Sequence, residues 1–276
     1  MIVAWFLMKR AMKDKVTIIT GASSGIGRET ALALGAEKVN VVLAARRLEK
    51  LEDVARQVEA AGGTALAVPT DVSDQHAVRK LTTAAMERFG RIDVLINNAG
   101  FGLFASLEET TSEQMARIWR TNFWGTYYAI RSVLPIMKKQ GQGHILTISS
   151  MAGRRGTPCN AAYCATKFAQ AGLMESLRME LYNTGIHCTI VFPGPTDSEF
   201  LSALENPSGQ PVRFHSAVQS PTEVARAIVK AIRHPKAEVI TQRFGRTLIV
   251  LNALAPSLVD WLVARTVKRK LLRAKD

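Results

Sequence analysis

The sequence predicts an α/β fold, in which one parallel sheet of seven strands is flanked by helices. From Val16 onward, short runs of β-branched residues alternate with longer amphipathic stretches, and this rhythm is typical of repeated β-α-β units. The chain of 276 residues suits one large domain, and its 47% of hydrophobic residues can fill a packed interior. We therefore expect a single core.

Seven segments have the length and composition of buried strands. They are residues 16–20, 39–44, 64–69, 93–97, 143–149, 186–191 and 237–241. Six helical stretches follow or separate them, at residues 26–35, 47–61, 75–89, 112–137, 162–183 and 222–233. Ser73 with Asp74 is predicted to cap the third helix and Thr222 the sixth, because their side-chain oxygens can accept hydrogen bonds from unpaired N–H groups.

The predicted sheet domain covers residues 15–246, between an N-terminal segment of residues 1–14 and a C-terminal extension of residues 247–276. Within the domain, residues 193–220 are rich in Pro, Ser, Gly and Asn and are longer than an ordinary connection. Such a segment is typical of a mobile loop or lid. Its position after a strand predicts contact with a substrate.

The charge of the chain suits a polyanionic partner. Lys and Arg outnumber Asp and Glu by 36 to 23, which gives a net charge of +13. Nucleic acid, a phosphate-rich cofactor and an anionic membrane surface all match this charge. We expect no nucleic-acid binding, because the basic residues are spread along the sequence without zinc-finger spacing or a basic heptad region.

Cysteine usage and the N-terminal sequence bear on localisation. Cys159, Cys164 and Cys188 have neither a CxxC pattern nor metal-ligand spacing, which predicts reduced thiols and no metal site. The apolar run of residues 2–8 precedes Lys9 and Arg10, the reverse of the order in a secretory signal, and is too short to span a bilayer. We therefore expect a cytoplasmic protein, with an interfacial contact of this run left open.

A glycine-rich loop joins the first predicted strand to the first helix, with the sequence Thr20-Gly21-Ala22-Ser23-Ser24-Gly25-Ile26-Gly27. Gly21 permits a tight turn, Gly25 a close approach of the backbone to a pyrophosphate, and Gly27 close packing of helix on strand. The N–H groups and partial positive charge at a helix start bind anions. Strand, loop and helix together predict a dinucleotide site, although the spacing GxxxGxG differs from the commoner GxGxxG.

The end of the second strand indicates which dinucleotide binds. NAD-selective sites usually place Asp or Glu there to bind the ribose diol. This sequence instead has Ala45, followed by Arg46 and Arg47. A guanidinium can hold a 2′-phosphate through two hydrogen bonds, whereas an acid would repel it. We therefore predict NADP(H) as the cofactor.

A second group of residues suits proton transfer. Tyr163 and Lys167 are four residues apart in a predicted helix, so their side chains project from one face. A free tyrosine has a pKa of about 10, and a nearby ammonium together with an oxidised nicotinamide would stabilise its phenolate. Ser150 ends a strand at the edge where such sheets bind ligands, and it could donate a hydrogen bond to a substrate carbonyl oxygen.

These residues resemble the short-chain dehydrogenase/reductase family over residues 15–243. The likeness rests on the glycine loop, Asp71-Val72, Asn97-Asn98-Ala99-Gly100, Asn122, Ser150, Tyr163-Cys164-Ala165-Thr166-Lys167 and Pro193-Gly194. It implies a Rossmann-type, doubly wound sheet. It also implies hydride exchange between a nicotinamide and a carbonyl or secondary alcohol of a small molecule.

The resemblance further implies a catalytic tetrad of Asn122, Ser150, Tyr163 and Lys167. Tyr163 would be the acid or base, Ser150 would position the substrate, and Lys167 would bind the nicotinamide ribose and lower the tyrosine pKa. Asn122 would hold a water in a proton relay. The predicted cofactor-binding residues are Gly21, Ser23, Ser24, Gly25, Ile26, Gly27, Arg46, Arg47, Asp71, Val72, Asn98, Ala99, Gly100, Tyr163, Lys167, Pro193, Gly194, Thr196 and Ser198.

Within that set, the resemblance implies that Asp71 and Val72 contact the adenine and that residues 98–100 line the cofactor. The backbone after Pro193-Gly194 would contact the carboxamide. Ser198 stands where the family commonly has Thr, a change that keeps the hydroxyl.

The C-terminal extension is mostly apolar from Leu248 to Trp261 and basic thereafter. Three interpretations stay open: an interfacial helix on an anionic membrane, a cover over the substrate cleft, and a contact with a second copy of the chain. The first would suit an apolar substrate. We also expect a homo-oligomer, either a dimer or a tetramer. The competing function is a non-catalytic NADP(H)-binding redox sensor or scaffold, against which the intact Ser150, Tyr163 and Lys167 argue.

Overall fold

The computed structural model describes residues 12–207, 209 and 217–272. The apolar run of residues 2–8, for which the sequence leaves an interfacial contact open, lies outside the described residues, as does part of the predicted lid. The chain divides into two compact units, residues 1–241 and residues 242–276. The candidate site is built by the first unit.

The first unit contains the predicted seven-stranded parallel sheet. Its strands are Val16–Thr20 (β1), Asn40–Ala45 (β2), Thr64–Pro69 (β3), Val94–Asn97 (β4), Gly143–Ile148 (β5), Ile186–Phe192 (β6) and Glu238–Ile240 (β7). The strand order is β3-β2-β1-β4-β5-β6-β7, and every neighbouring pair is parallel. The order reverses direction between β1 and β4, and a reversal of this kind opens a crevice at the carboxyl ends of the strands.

Helices connect the strands and cover the sheet. The α-helices are Gly25–Gly35 (α1), Leu48–Ala60 (α2), Gln75–Phe89 (α3), Ser112–Trp119 (α4), Gly125–Gln140 (α5), Ala161–Glu180 (α6), Glu199–Ser202 (α7), Pro221–Arg233 (α8), Gly245–Leu254 (α9) and Pro256–Leu272 (α10). A π-helical turn at Arg120–Trp124 joins α4 to α5, and a 3-10 turn follows β5 at Met151–Gly153. The last two α-helices form the second unit.

The core lies on both faces of the sheet, which explains why the central strands are apolar without alternation. Successive residues of β1 point to opposite faces, so Ile18 packs in one buried cluster and Ile19 in the other. Leu95 and Ile96 of β4 divide in the same way. Because both faces are buried, the register of these strands is fixed and their carboxyl ends are aligned.

Two local predictions need correction. The stretch 112–137, predicted as one helix, is divided by the π-helical turn, in which the Gly125 N–H donates to the Arg120 carbonyl five residues back. Helix α8 is capped by Ser220 and not by Thr222, because Pro221 takes the first helical position and Ser220 forms a reciprocal capping box with Glu223. The predicted cap of α3 is confirmed, since the Asp74 carboxylate accepts from the His76 N–H.

Candidate active site

The glycine loop follows β1 at the crevice. Gly21 and Gly25 have φ values of +66° and +55°, which side chains rarely tolerate. A Cβ at Gly27 would lie 2.3 Å from the Gly21 carbonyl oxygen, and a Cβ at Gly21 would lie 2.8 Å from Ala99 Cα. Both distances are too short for any carbon side chain. The loop therefore requires glycine for its turn and for its packing against β4, as the sequence predicts.

The start of α1 is free to receive an anion. Ser24 is the N-cap, and in the described structure its side chain makes no capping hydrogen bond, while the first turn of α1 contains no acidic residue. The first N–H groups of a helix have no partner within it, and the helix dipole adds positive charge. Neighbouring Ser23 accepts a hydrogen bond from Arg47 at 3.2 Å, and Ile26 packs against the core.

The segment after β4 braces this loop. The Asn98 side-chain amide donates to the carbonyls of Thr20 at 3.0 Å and Gly21 at 3.1 Å. In return, the Thr20 hydroxyl accepts from the backbone N–H groups of Asn98 and Ala99 at 3.0 and 3.1 Å. A Cβ at Gly100 would lie 3.0 Å from the Asn122 side-chain oxygen. Residues 98–100 thus lie beside the glycine loop, where they could form one wall of a dinucleotide site.

Cations gather at the end of β2. Arg47 is exposed and precedes α2, and its Nη2 donates to a carboxylate oxygen of Glu199 at 2.8 Å. Lys50 donates to the other oxygen of Glu199 at 2.6 Å. The hydrogen bonds from Lys50 and Arg47 lower the pKa of Glu199 to about 2. Arg46 is likewise exposed, so this corner offers guanidinium groups that already hold one anion.

Asp71 and Val72 follow β3, at the same edge of the sheet. The Asp71 carboxylate accepts from the N–H and the hydroxyl of Ser73, at 2.9 and 2.7 Å, so it is committed to a turn. Val72 is buried and packs in the core, where it lies against Gly125. The side chains of Asp71 and Val72 thus have structural roles. Their backbone lies at the edge of the crevice.

Tyr163, Ser150 and Lys167 come together at the end of β5. Ser150 precedes the 3-10 turn, and its hydroxyl accepts from the Ala152 N–H at 3.1 Å and acts to lower the pKa of the Tyr163 phenol. Lys167 Nζ lies 5.6 Å from the centre of the Tyr163 ring. Only 4% of Lys167 is exposed, so its amine is withdrawn from bulk water. The three residues predicted to carry the chemistry are neighbours.

Burial shifts the two titrating groups in opposite directions. Desolvation raises the pKa of the Tyr163 phenol above its usual value, against a lowering by the Ser150 hydrogen bond and with a further increase from Cys164. Desolvation lowers the pKa of Lys167 to about 7. In this structure the phenol is therefore held as a neutral proton donor. A charged Lys167 would lower the pKa of the phenol, so the acidity of Tyr163 depends on how well its surroundings stabilise the Lys167 ammonium.

Asn122 is fully buried in the π-helical turn. Its side-chain oxygen accepts from the Phe101 N–H and its amide donates to the Phe101 carbonyl, both at 3.0 Å. Its main-chain carbonyl accepts from Gln170 at 2.7 Å and from the Thr126 hydroxyl at 2.8 Å. Asn122 thus connects the segment after β4 to helix α6, beneath Lys167.

The segment after β6 lies beside both the glycine loop and Tyr163. The Pro193 carbonyl accepts from the Met151 N–H, the Gly194 N–H donates to Gln219, and the Thr196 hydroxyl donates to the Gly194 carbonyl. Ser198 lies against the glycine loop, since a Cβ at Gly25 would be 3.0 Å from its own. The Phe200 ring lies 5.9 Å from that of Tyr163. This part of the predicted lid therefore covers the tyrosine with an aromatic side chain.

The sequence reasoning missed three residues of the site, namely Gln170, Glu199 and Phe200. A signal existed for Gln170, because it follows Lys167 by three residues in the predicted helix 162–183 and so lies on the same helix face. Glu199 and Phe200 lie in a segment without periodicity, so their partners 152 and 37 positions away had no local signature.

Comparison with known proteins agrees with this geometry. A family model described as short chain dehydrogenase matches residues 15–208. An uncharacterized oxidoreductase of Bacillus subtilis is 34% identical over 263 residues, covering 94% of this chain and 74% of that relative. A short chain dehydrogenase/reductase from Burkholderia phymatum, solved in complex with NAD, is 29% identical with a TM-score of 0.82, covering 90% of this chain and 96% of its own.

A second solved structure is an alcohol dehydrogenase from the archaeon Thermococcus sibiricus, complexed with 5-hydroxy-NADP. It is 29% identical, has a TM-score of 0.74, and covers 83% of this chain and 96% of its own. These structural relatives therefore include one solved with NAD and one solved with an NADP derivative.

Proposed function

This chain belongs to the short-chain dehydrogenase/reductase family of oxidoreductases, and on that premise we propose that it uses NADP(H) to interconvert a carbonyl and an alcohol of an apolar substrate. The arrangement that carries this proposal is the Ser150 hydroxyl near enough to the Tyr163 phenol to act on its pKa, with Lys167 Nζ at 5.6 Å from the centre of the same ring. Two hydroxyls that meet at one point can both bond to a single substrate oxygen.

The residues of the crevice fit a dinucleotide. Close packing at Gly21, Gly25 and Gly27 brings backbone to the loop surface, where side chains would obstruct a pyrophosphate. The start of α1 supplies unpaired N–H groups. The wall of residues 98–100, the backbone at Gly194 and the amine of Lys167 are the groups that would hold the nicotinamide half of a bound dinucleotide.

Each catalytic side chain then has a separate task. When bound, the nicotinamide supplies or takes up a hydride at the substrate carbon. Ser150 donates a hydrogen bond to the substrate oxygen, where negative charge develops. In the direction of reduction, Tyr163 gives its phenolic proton to that oxygen, and the Lys167 ammonium stabilises the remaining phenolate. In oxidation the same phenol takes the proton back.

Arg47 supports the choice of NADP(H). Its guanidinium lies beside Ser23 of the glycine loop and already bonds to a carboxylate, that of Glu199. A 2′-phosphate is a stronger partner for the same fork of donors. Arg46 and Lys50 add positive charge at this corner.

The surroundings of Tyr163 support an apolar substrate. Tyr163 packs against a buried cluster formed by Leu103, Ala105, Ile118 and Ala162, with Phe101, Met115 and Trp119 beside it. Phe200 adds an aromatic ring on the lid side. Such a lining favours binding of hydrocarbon next to a single polar centre.

Two associations belong to the same proposal. Exposed apolar side chains at the π-helical turn, along α6 and just after it, namely Trp124, Phe168, Met179 and Tyr182, support a homo-oligomer, either a dimer or a tetramer. In the second unit, α9 and α10 expose Val250, Leu254 and Trp261 ahead of a basic sequence, which supports peripheral contact with an anionic membrane. Among the described helices, none is long and apolar enough to cross a bilayer.

The three cysteines are free thiols, and this supports a reducing, cytoplasmic location.

The decisive experiment follows NADPH absorbance with a panel of aldehydes and ketones for the wild type and Tyr163→Phe. We expect turnover by the wild type and a loss of at least about a thousandfold in the variant, whereas both should bind NADPH with similar affinity. NADPH binding without turnover in both proteins would favour a redox sensor or scaffold instead. Binding of neither NADPH nor NADH by the wild type would refute the proposal altogether.

A further inference from the structure

Gln170 lies at the centre of the site although the proposed chemistry gives it no task. It projects from α6 one turn after Lys167 and is 1% exposed. A buried amide is costly unless its donors and acceptor find partners. The partners of Gln170 are therefore informative about why a polar residue occupies this position.

The amide of Gln170 bridges two groups of the site. Its oxygen accepts from Lys167 Nζ at 3.1 Å. Its nitrogen donates to the Asn122 main-chain carbonyl at 2.7 Å and to the Thr126 hydroxyl at 2.8 Å. The orientation of the amide follows from chemistry, because an ammonium can only donate and a carbonyl can only accept.

We infer that Gln170 is a positioning residue: its side-chain oxygen holds the Lys167 ammonium near Tyr163, and its amide nitrogen fixes that oxygen in place by donating to the Asn122 carbonyl and the Thr126 hydroxyl. The Asn122 carbonyl accepts two hydrogen bonds, one from Gln170 and one from Thr126. Two bonds use both lone pairs of a carbonyl oxygen. This inference rests on the proposed function for its catalytic meaning, but the contacts themselves do not depend on it.

The charge state of Lys167 depends on these acceptors. Of its three N–H groups, one donates to the Ile148 carbonyl at 3.0 Å and one to Gln170, which leaves a third for the crevice. Burial by itself disfavours the ammonium and lowers its pKa. The Gln170 oxygen opposes this effect, because a hydrogen bond to the charged form stabilises it.

The neighbours of Lys167 in the described structure are otherwise uncharged. From β5 it meets the Ile148 carbonyl, and on its own helix it faces the ring of Tyr163, the titratable group at this contact. Cys164 acts on Tyr163 and lies on the same helix. A change at residue 170 should therefore appear in the titration of Lys167 and, through it, of Tyr163.

The test is the titration of Lys167 in the cofactor-free protein, measured by NMR with lysine labelled at the ε-carbon and with Lys167→Met to assign the signal. Gln170→Met keeps the length of the side chain and removes its hydrogen bonds to Lys167, Asn122 and Thr126. We expect it to lower the Lys167 pKa by about one to two pH units, the worth of one charge-assisted hydrogen bond. Gln170→Glu should raise the pKa instead, because it places a carboxylate beside the ammonium.

Gln140→Met is the matched control. Gln140 also uses both ends of its amide, accepting from the Ile92 N–H at 3.1 Å and donating to the Ile92 carbonyl at 2.8 Å, far from the site along the sheet. The Gln140→Met variant should have a lower free energy of unfolding and an unchanged Lys167 pKa. A general loosening of the fold would affect all the variants alike.

The pH profile of alcohol oxidation, with 1-phenylethanol and NADP⁺ as probes, gives a second reading. In Gln170→Met the acid limb of kcat should move to higher pH, since a neutral lysine no longer stabilises the phenolate, and in Gln170→Glu to lower pH. Opposite shifts of the Lys167 pKa support the inference even if neither the wild type nor any variant turns over, in which case the proposed function fails alone. Unchanged titration, or shifts of one sign in both variants, overturns it. If one variant does not fold, the direction seen in the other decides.

Discussion

A carboxylate oxygen of Glu199 lies 2.8 Å from Nη2 of Arg47, although 152 positions separate the two residues in the chain. This ion pair connects the short helix α7 to the end of β2 across the mouth of the glycine loop. Glu199 therefore binds the same guanidinium that we assign to the 2′-phosphate of the cofactor. The two anions compete for the same donors.

Replacing Arg47 should reduce the preference for the phosphorylated cofactor. We expect Arg47→Ser to weaken NADPH binding by about ten- to a hundredfold, the effect of losing a charge-assisted contact, and to leave NADH binding nearly unchanged. Fluorescence titration of both nucleotides at constant ionic strength measures the two constants. Arg56→Ser is the control, because Arg56 lies on α2, the helix that Arg47 precedes, and pairs with Asp53 on the surface. Equal losses for NADPH and NADH would contradict the assignment.

A methyl group at Gly27 should abolish nucleotide binding. The added carbon would lie 2.3 Å from the Gly21 carbonyl oxygen, so the loop must move away from its present path. We expect Gly27→Ala to lower the free energy of unfolding by about 2 kcal/mol or more, in the range of overpacked sites. Gly172→Ala, on α6, has open space around the added carbon and should be neutral or slightly stabilising. Urea unfolding and NADPH titration of both variants test the contrast, which comparable behaviour of the two would rule out.

Asp93 should make stability depend on pH in the acid range. Its carboxylate accepts from the Val16 N–H at 3.0 Å and from two nitrogens of Arg91 at 2.7 and 2.8 Å. Burial alone would raise its pKa, but the hydrogen bonds from Arg91 and Val16 and the charge of Lys15 outweigh burial and place the pKa below 3.8. Because the folded-state value is depressed, the stabilisation is complete above the unfolded-state pKa and is lost as pH falls through the folded one.

The matching variant is Asp93→Asn. We expect it to lower the free energy of unfolding by about 2–4 kcal/mol at pH 7, with a smaller difference from the wild type at acid pH, because the stabilisation is lost as pH falls through the folded-state pKa of Asp93. Asp53→Asn, at an exposed pair with Arg56, should change stability by less than about 1 kcal/mol at either pH. Urea unfolding at the two pH values provides the comparison, and a difference independent of pH would count against the assigned role.

Removal of the second unit tests the membrane contact. Truncation after Arg246 deletes most of α9 and all of α10, with their exposed Leu254, Leu258 and Trp261. We expect the full chain to sediment with vesicles containing anionic phospholipid and the truncated chain to stay in the supernatant. Binding should weaken in high salt, since basic residues supply part of the attraction. Partitioning that is unaffected by truncation would leave cleft cover or subunit contact as the role of this unit.

Most of the sheet could be predicted because its signals are local. Strands such as Val16–Thr20 are continuous runs of β-branched residues, and Gln75–Phe89 begins after an acidic cap and ends before Gly90. The glycine loop and the pair Tyr163 and Lys167 were equally visible, since each motif lies within a short continuous segment of the sequence. Local pattern is sufficient where burial and backbone geometry agree on one conformation.

The remaining features depend on contacts that sequence spacing does not record. In the π-helical turn, the Asn122 carbonyl accepts hydrogen bonds from Gln170 and Thr126. The helical periodicity of α4 and α5 continues through this turn, so the sequence pattern did not indicate it. Helix α8 has a proline at its first helical position, so its N-cap is the residue before the proline, Ser220. Thr222 is also a common capping residue type, and it drew the prediction two positions too far along the chain. The lid side of the site, with Glu199, is determined by partners far along the chain.

The reversal of strand order between β1 and β4 has a consequence for the life of the protein in the cell. The Thr20 hydroxyl joins the glycine loop to backbone 78 positions further on, so the crevice is incomplete until distant parts of the chain have met. A nucleotide seated there would fasten both halves of the sheet together, with a gain that grows as the logarithm of its concentration over its dissociation constant. Cofactor supply would then govern how long each folded molecule survives heat and proteolysis, as well as how fast it works.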